Sequence, residues 1–464
     1  MAVTVERDAG TAPVLAAPRP PQQPLSLWQY LKVLRENVIA TYGAEAYSAG
    51  IVERRLLWRR TLFVNEPDAI KYVLVDNAAN YHKTEIARRL LEPGLGRGLL
   101  TTEGDTWRRH RRIMAPAFDY RSIVGYSPIM TEIAQKLLAE WDAQPEAAEI
   151  DVAAAMMQAT LHIISRTMFS SDSDGIVDLV EHSVGRYQRE IRPGLIDILE
   201  LPAWLSRLTF APRGDAMLTE FDEVIDRLIT SRERAPADGQ PKDLLARLIA
   251  ARDVETGGGM SAEEVRDQVV TIFMAGHETT AQALTWTWYL LSQHPAAEAR
   301  LHAELAQALG GRTPRHEDLA KLPYARMVIE ESMRLYPPAH TLSRTSVKED
   351  QVSGHRVRPG TTIIIVPWLL HRKPKLWDRP DRFEPERFAP ERAASRHRFA
   401  YIPFGAGPRI CIGAAFAMAE AVLILATLAQ RYRFRLKPGF PVEPQALITL
   451  RARHGMQMLL ERRS

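Results

Sequence analysis

The sequence predicts a mainly α-helical fold with small β-sheets (α+β), built as one large domain over residues 25–464. Three observations carry this. From Trp107 to about Ser292 the apolar residues recur at helical spacing, punctuated at Pro116, Pro193-Gly194, Pro202, Pro212 and the Gly257-Gly258-Gly259 run. Strand signals are short and lie outside that helical stretch, as small sheets at the edge of the domain. No internal repeat and no linker composition divides the sequence.

Residues 1–24 carry Pro13, Pro18, Pro20, Pro21 and Pro24 and read as a frayed, proline-stiffened tail. Leu25–Ala46 then reads as helix, Leu56–Val64 as strand, and Glu66-Pro67 opens the next helix. A long helix starts at Ser261, where Glu264 completes a capping box, and stops at Ser292–Pro295. Leu301, Leu305 and Leu309 make Ala296–Leu309 an amphipathic helix, and Pro323–Tyr336 is another. Thr345–Lys348 and Thr361–Val366 are strands, separated by turns at Ser353-Gly354 and Pro359-Gly360. A proline-rich irregular segment spans Lys373–Pro390. Ala414–Ala429 is apolar but interrupted by Glu420 and falls short of the ~20 residues that cross a bilayer. Ala446–Leu450 and Met456–Leu460 suggest a closing hairpin.

Hydrophobic residues make up 46% and charged residues 25%, the balance of a soluble globular chain. The formal charge of +4 is too small to argue for nucleic acid. With no signal-peptide core and no membrane anchor, a cytoplasmic protein is expected. The single cysteine, Cys411, excludes an intrachain disulfide framework, a multi-cysteine zinc site and a self-ligated iron–sulfur cluster.

A lone cysteine is by default a small buried hydrophobe. This one sits in Phe404-Gly405-Ala406-Gly407-Pro408-Arg409-Ile410-Cys411-Ile412-Gly413, directly before the apolar helix. Two glycines and a proline let the backbone aim N–H groups at one sulfur, and the helix adds its positive end, so the thiolate is favoured. Gly413 leaves room for a flat ligand where a side chain would block it. The middle of the long helix reads Ala275-Gly276-His277-Glu278-Thr279-Thr280, poor choices for a buried apolar helix unless backbone bonds are locally broken around a polar groove. A zinc-protease reading of His277-Glu278 fails, because Ala281 stands where the second histidine is required. Glu331 and Arg334 share a helix face, as do Trp107 and Arg111. Gly94-Leu95-Gly96-Arg97-Gly98 lacks the spacing of a dinucleotide fingerprint, and neither a Gly-x-Ser-x-Gly elbow nor a phosphate-binding loop of the Walker type occurs.

The cysteine run resembles the haem-binding loop of the cytochromes P-450 at every fixed position, and four further motifs follow in that family's order, so the resemblance covers residues 25–464. It implies the cytochrome P-450 fold and haem b with Cys411 as axial thiolate to the iron. Phe404 would pack beside the thiolate in the loop of Gly405 and Gly413, and Arg409, Trp107, Arg111 and Arg344 would meet the propionates. Glu278 and Thr279 would relay protons to dioxygen through water. Glu331 and Arg334, joined by Arg387 of Pro385-Glu386-Arg387-Phe388, would form a buried network supporting the loop. The implied activity is a monooxygenase that inserts one oxygen atom of dioxygen into a hydrophobic small molecule, a terpenoid or fatty acid. Phe273, Met274 and Ala275, then Ala339–Leu342 with His340 and Thr341 as polar anchors, and Leu447 would line the pocket. Residues 81–100 and 190–210 would form a mobile lid. The electrons would come from a separate ferredoxin or flavodoxin with its reductase, an acidic carrier docking at Arg108, Arg109, Arg112, Arg392, Arg396 and Arg398. A peroxygenase or isomerase and a haem carrier or gas sensor are the rivals, both disfavoured by the Glu278-Thr279 pair.

Overall fold

The computed structural model describes residues 15–23, 25–56, 59–170, 223–232, 234 and 243–463. Its main helices are α1 (Leu27–Glu36), α2 (Glu85–Leu95), α3 (Gly104–Met114), α4 (Tyr120–Asp142) and α5 (Val152–Phe169). They continue with α6 (Ala262–Gln293), α7 (Pro295–Leu309), α8 (Pro323–Leu335) and α9 (Ala414–Ala429). The strands before α6 are β1 (Ile51–Leu56), β2 (Arg59–Val64), β3 (Tyr81–His82) and β4 (Glu149–Asp151). After α8 come β5 (Leu342–Ser346), β6 (Asp350–Val352), β7 (His355–Val357) and β8 (Thr362–Ile365). The last four are β9 (Tyr432–Leu436), β10 (Pro444–Ala446), β11 (Leu450–Ala452) and β12 (Gln457–Arg462).

Five strands make the larger sheet in the order β1-β2-β8-β5-β3, with β2 and β8 parallel and the other neighbours antiparallel. β6 and β7 form a separate hairpin. The expected closing hairpin does not form. β10 pairs with β11, while β12 lies between β9 and β4. The alternation of β12 explains this: Met458 and Leu460 are buried, and the strand completes two edges far apart in sequence rather than its neighbour's.

The expected single helix over Leu25–Ala46 breaks after α1. Asn37 turns extended at the end of that helix and donates from Nδ2 to Pro444 O at 2.8 Å. The tail is not wholly frayed either. Ala16 is buried, and Tyr336 donates its phenol to Ala16 O at 2.9 Å.

The core is centred on α6. Ser261 and Glu264 start it with the capping box read in the sequence, and Pro295 follows its end. It packs along α5 and against α8 and α9. Trp286 stacks flat on Tyr336 at 4.1 Å between ring centres. Among the described residues no helix is long and apolar enough to cross a membrane.

Candidate active site

Cys411 closes its loop by donating its N–H to Phe404 O at 2.9 Å. Arg111 of α3 pins the loop from outside, donating from Nη1 to Ile410 O at 2.9 Å. Gly413 then opens α9, and a Cβ built there would meet only Cys411 Sγ, at 4.0 Å. The sulfur therefore faces open space on the side that a larger residue would fill. Cys411 has an exposed surface but is set deep among protein atoms. That desolvation raises its thiol pKa, and the Gly413 N–H and the Arg111 charge pull it back only in part. The loop's N–H groups and the Arg111 charge favour the thiolate as expected, but against the larger opposing effect of burial.

Beside the loop lies a cluster of positive charge. Arg409 stacks on Trp107 at 4.2 Å and pairs with Glu103, while its Nη1 finds no hydrogen-bond partner in the described structure. Arg344 on β5 is desolvated and faces Arg409, which together lower its pKa to about 10. Lys83, donating to Leu100 O at 2.8 Å, is brought down to about 7 by burial and by the same two arginines. Glu103 is the carboxylate these three cations share. Lys83 escaped the sequence reading because it belongs to no motif, and only the packing of β3 on β5 brings it here.

Most of α6 is buried. Between Asp267 and Ser292 every residue is buried except Ala275, Gly276 and Thr279, which form one partly exposed strip. The helix itself is unbroken, contrary to the expected local rupture. Its carbonyls accept extra hydroxyls instead: Thr279 donates to Ala275 O at 2.9 Å, and Thr160 of α5 donates to His277 O at 2.9 Å. Glu278 is buried and accepts from Thr449 at 2.7 Å. Thr280 hydrogen-bonds Glu420 on α9, whose carboxyl burial lifts to about 8. Phe273 lies off the strip, fully buried and stacked on Phe169 at 5.4 Å, and Met274 is also buried.

The turn after β10 gathers the other pocket candidates. His340 is buried, and desolvation lowers its pKa to about 4. Its Nε2 lies 2.9 Å from Leu447 O, which can only accept, so Nε2 carries the proton and Nδ1 accepts from Thr341 at 2.9 Å. Thr341 also hydrogen-bonds Tyr42. Both nitrogens of His340 are engaged, so it is not the free polar anchor expected. Leu342 begins β5 at the edge of the cysteine loop, its Cδ1 being 3.9 Å from where a Gly405 Cβ would stand. Of the expected lid, 190–210 lies outside the described residues. The end of the other half is tied to α6 by Arg97 N–H to Asp267 at 2.7 Å and Leu99 N–H to Gln268 at 2.9 Å.

Glu331, Arg334 and Arg387 do meet, all buried. Arg334 reaches Glu331 through Nε and Nη2 at 2.7 and 2.8 Å, and Arg387 Nε lies 3.3 Å from the same carboxylate. The surface arginines divide. Arg109 pairs with Glu264, Arg112 grips buried Asp253 with two bonds of 2.9 Å, and Arg108 pairs with Asp105. Arg396 lies over Trp377 and Phe388, at 4.4 and 4.5 Å, and donates to Arg387 O. Of the expected docking set, only Arg392 and Arg398 are exposed without an intramolecular ion pair among the described residues.

Comparison with known proteins agrees with this architecture. The family model "Cytochrome P450" matches residues 18–453. Cyclooctatin synthase of Streptomyces melanosporofaciens is 40% identical over 87% of this chain and 86% of its own. Cyclooctat-9-en-7-ol 5-monooxygenase of the same organism is 36% identical over 84% and 83%. The crystal structure of cytochrome P450DA heme domain superposes with a TM-score of 0.82 at 25% identity, covering 97% of this chain and 99% of that one. A helical core around α6, a glycine-bounded cysteine loop and sequence likeness along nearly the whole length lead to one conclusion: the chain belongs to the cytochrome P450 family and is a haem-dependent monooxygenase.

Proposed function

We propose that this cytochrome P450 binds haem b through Cys411 and oxygenates a cyclic, largely apolar terpenoid, with electrons from a separate ferredoxin or flavodoxin and its reductase. The residues present fit haem. Three cations sharing one carboxylate, with Arg409 Nη1 left over, suit a pair of propionates. The open side of Cys411 Sγ at Gly413 suits a flat macrocycle. Lys83, Arg344 and Arg409 would hold the propionates, with Trp107 beneath Arg409 and Arg111 steadying the loop. When bound, the haem supplies activation of dioxygen, so that a substrate C–H becomes C–OH and the second oxygen leaves as water for two electrons and two protons.

The chain's own residues have three tasks. The strip of Ala275, Gly276 and Thr279 is the observation that carries the reading: it presents small apolar surface with one hydroxyl, a face for a bulky hydrocarbon. Thr279 Oγ1 offers its proton from that strip when it turns from Ala275 O. Glu278 resupplies it from its site against Thr449. With His340 already engaged, few polar groups remain for the substrate, which favours a molecule with little hydrogen-bonding demand. The Streptomyces relatives, one named for oxygenating the alcohol cyclooctat-9-en-7-ol, support a cyclic terpenoid over a fatty acid. Exposed Arg392 and Arg398 remain as steering charges for an acidic carrier.

The test is titration of the haem spin-state shift with cyclic terpenoid alcohols, fatty acids and small charged compounds. Tight shifts with the first group are expected, and shifts with charged compounds alone would defeat the reading. Turnover with NAD(P)H, ferredoxin and reductase is expected to exceed turnover with peroxide.

A further inference from the structure

Five hydrogen bonds converge on one carboxylate that no motif contains. Asp350, on β6, accepts through Oδ1 from Tyr72 at 2.8 Å and from Gln351 N–H at 2.7 Å. Through Oδ2 it accepts from Tyr81 at 2.6 Å, Asn77 at 2.9 Å and Asn80 at 3.4 Å. Two of these donors bracket an unusual piece of backbone. Tyr72–Asp76 is a π-helical turn, closed by Asn77 N–H donating to Tyr72 O at 2.8 Å. Such turns carry one residue more than an α-helical turn and persist only where the surroundings hold them. Here Asp350 holds both ends, and Asn77 Nδ2 adds a bond to the Tyr72 phenol at 3.2 Å.

The turn faces the cysteine loop. Gly407 has φ +71°, and a Cβ there would fall 1.8 Å from Leu74 O, at the crest of the π turn. No side chain fits, so the Leu74 carbonyl is the wall against which the loop is set. From Gly407 the contact passes along a short rigid path: Ile410 N–H donates to Gly407 O at 3.0 Å, and Cys411 follows.

We propose that Asp350 is a positioning residue for the sulfur of Cys411, acting through the Tyr72–Asp76 π turn and its carbonyl contact with Gly407. The hairpin thereby sets how firmly the loop presents its thiolate, although none of the five bonds to Asp350 comes from the loop. This rests on Cys411 being the haem ligand. A carboxylate is required because four side-chain donors converge on two oxygens. Asparagine would turn one oxygen into a donor facing other donors, and the ends of the turn would separate.

The experiment uses the haem-loaded full chain and reads the ferrous carbonmonoxy spectrum, where thiolate ligation gives the red-shifted Soret band. Asp350→Asn is expected to speed conversion to the form lacking that band about tenfold and to raise its share at equilibrium. Tyr72→Phe, which removes one donor and keeps the ring, is expected to move the same readout less, and serves if Asp350→Asn folds poorly. Asp350→Glu should recover part of the parent behaviour. Glu349→Gln, at an exposed ion pair in the same hairpin, should leave the spectrum unchanged. A lowered melting temperature with unchanged band share and conversion rate in both Asp350→Asn and Tyr72→Phe would overturn the proposal. Cys411→Ser separates the underlying premise: if that variant keeps the band, the ligand assignment fails rather than the role of Asp350.

Discussion

Replacing Arg334 by methionine removes the centre of the buried ionic network while keeping an unbranched apolar stem. Its guanidinium makes two bonds to Glu331 and donates to His371 O and Pro380 O at 2.7 Å each and to Arg382 O at 2.9 Å. It also lies over the Trp377 ring at 5.1 Å. Three carbonyls lose this donor, each at a cost of about 1–3 kcal/mol where no other donor or water replaces it. Glu331 keeps Arg387 at 3.3 Å and the Glu384 N–H at 2.9 Å, so its charge is weakened rather than stranded. Breaking a buried pair costs about 3–5 kcal/mol, and partial water entry keeps the separate losses from adding in full. The expected loss is therefore about 4 kcal/mol, a large part of a typical stability of ~5–15 kcal/mol. Urea unfolding followed by far-ultraviolet circular dichroism at constant m-value measures it. The double variant Glu331→Met with Arg334→Met should lose less than the sum of the two single variants, since each single variant already removes the bonds between these two side chains. A single-variant loss below about 1 kcal/mol, or a double variant worse than the sum, would refute this account of the network.

Thr279→Ala is expected to keep haem and substrate binding while diverting reducing equivalents to peroxide or water, checked by product formed per NAD(P)H consumed. Thr449→Val removes the donor to Glu278 and should lower that coupling in the same direction but less far. Arg112→Glu should lower stability, because it opposes Asp253 with a like charge, whereas Arg398→Glu should leave stability unchanged and slow electron transfer from an acidic ferredoxin at low salt. Burial places the Glu420 carboxyl at about 8, above the ordinary value of about 4.3 for the unfolded chain. The unfolded state therefore loses its proton first, and this carboxyl makes stability fall as pH rises from about 4 to 8. Glu420→Gln should flatten that slope, and parallel stability–pH profiles for parent and variant would refute it.

Local chemistry was legible in the sequence. The capping pair Ser261 and Glu264, the glycine-bounded loop before α9 and the i,i+3 pair Glu331 and Arg334 depend on residues a few positions apart, whose geometry follows from helix and turn stereochemistry. The helical class was legible for the same reason, because periodicity over a window of residues is a local signal. The tertiary structure decided what depends on contacts between distant segments. Whether β12 would pair with its neighbour or with β4 and β9 turned on which open edges the rest of the fold offered. Arg109 and Arg112 read as surface charges until Glu264 and Asp253 were placed against them, and His340 read as a free polar group until Leu447 and Thr341 took both its nitrogens. Lys83 and Asp350 stand in no recognisable pattern, since each acts through partners brought from other strands and turns. A side chain's type states which bonds it can make, but burial and the approach of remote backbone decide which of them it makes and whether its charge survives.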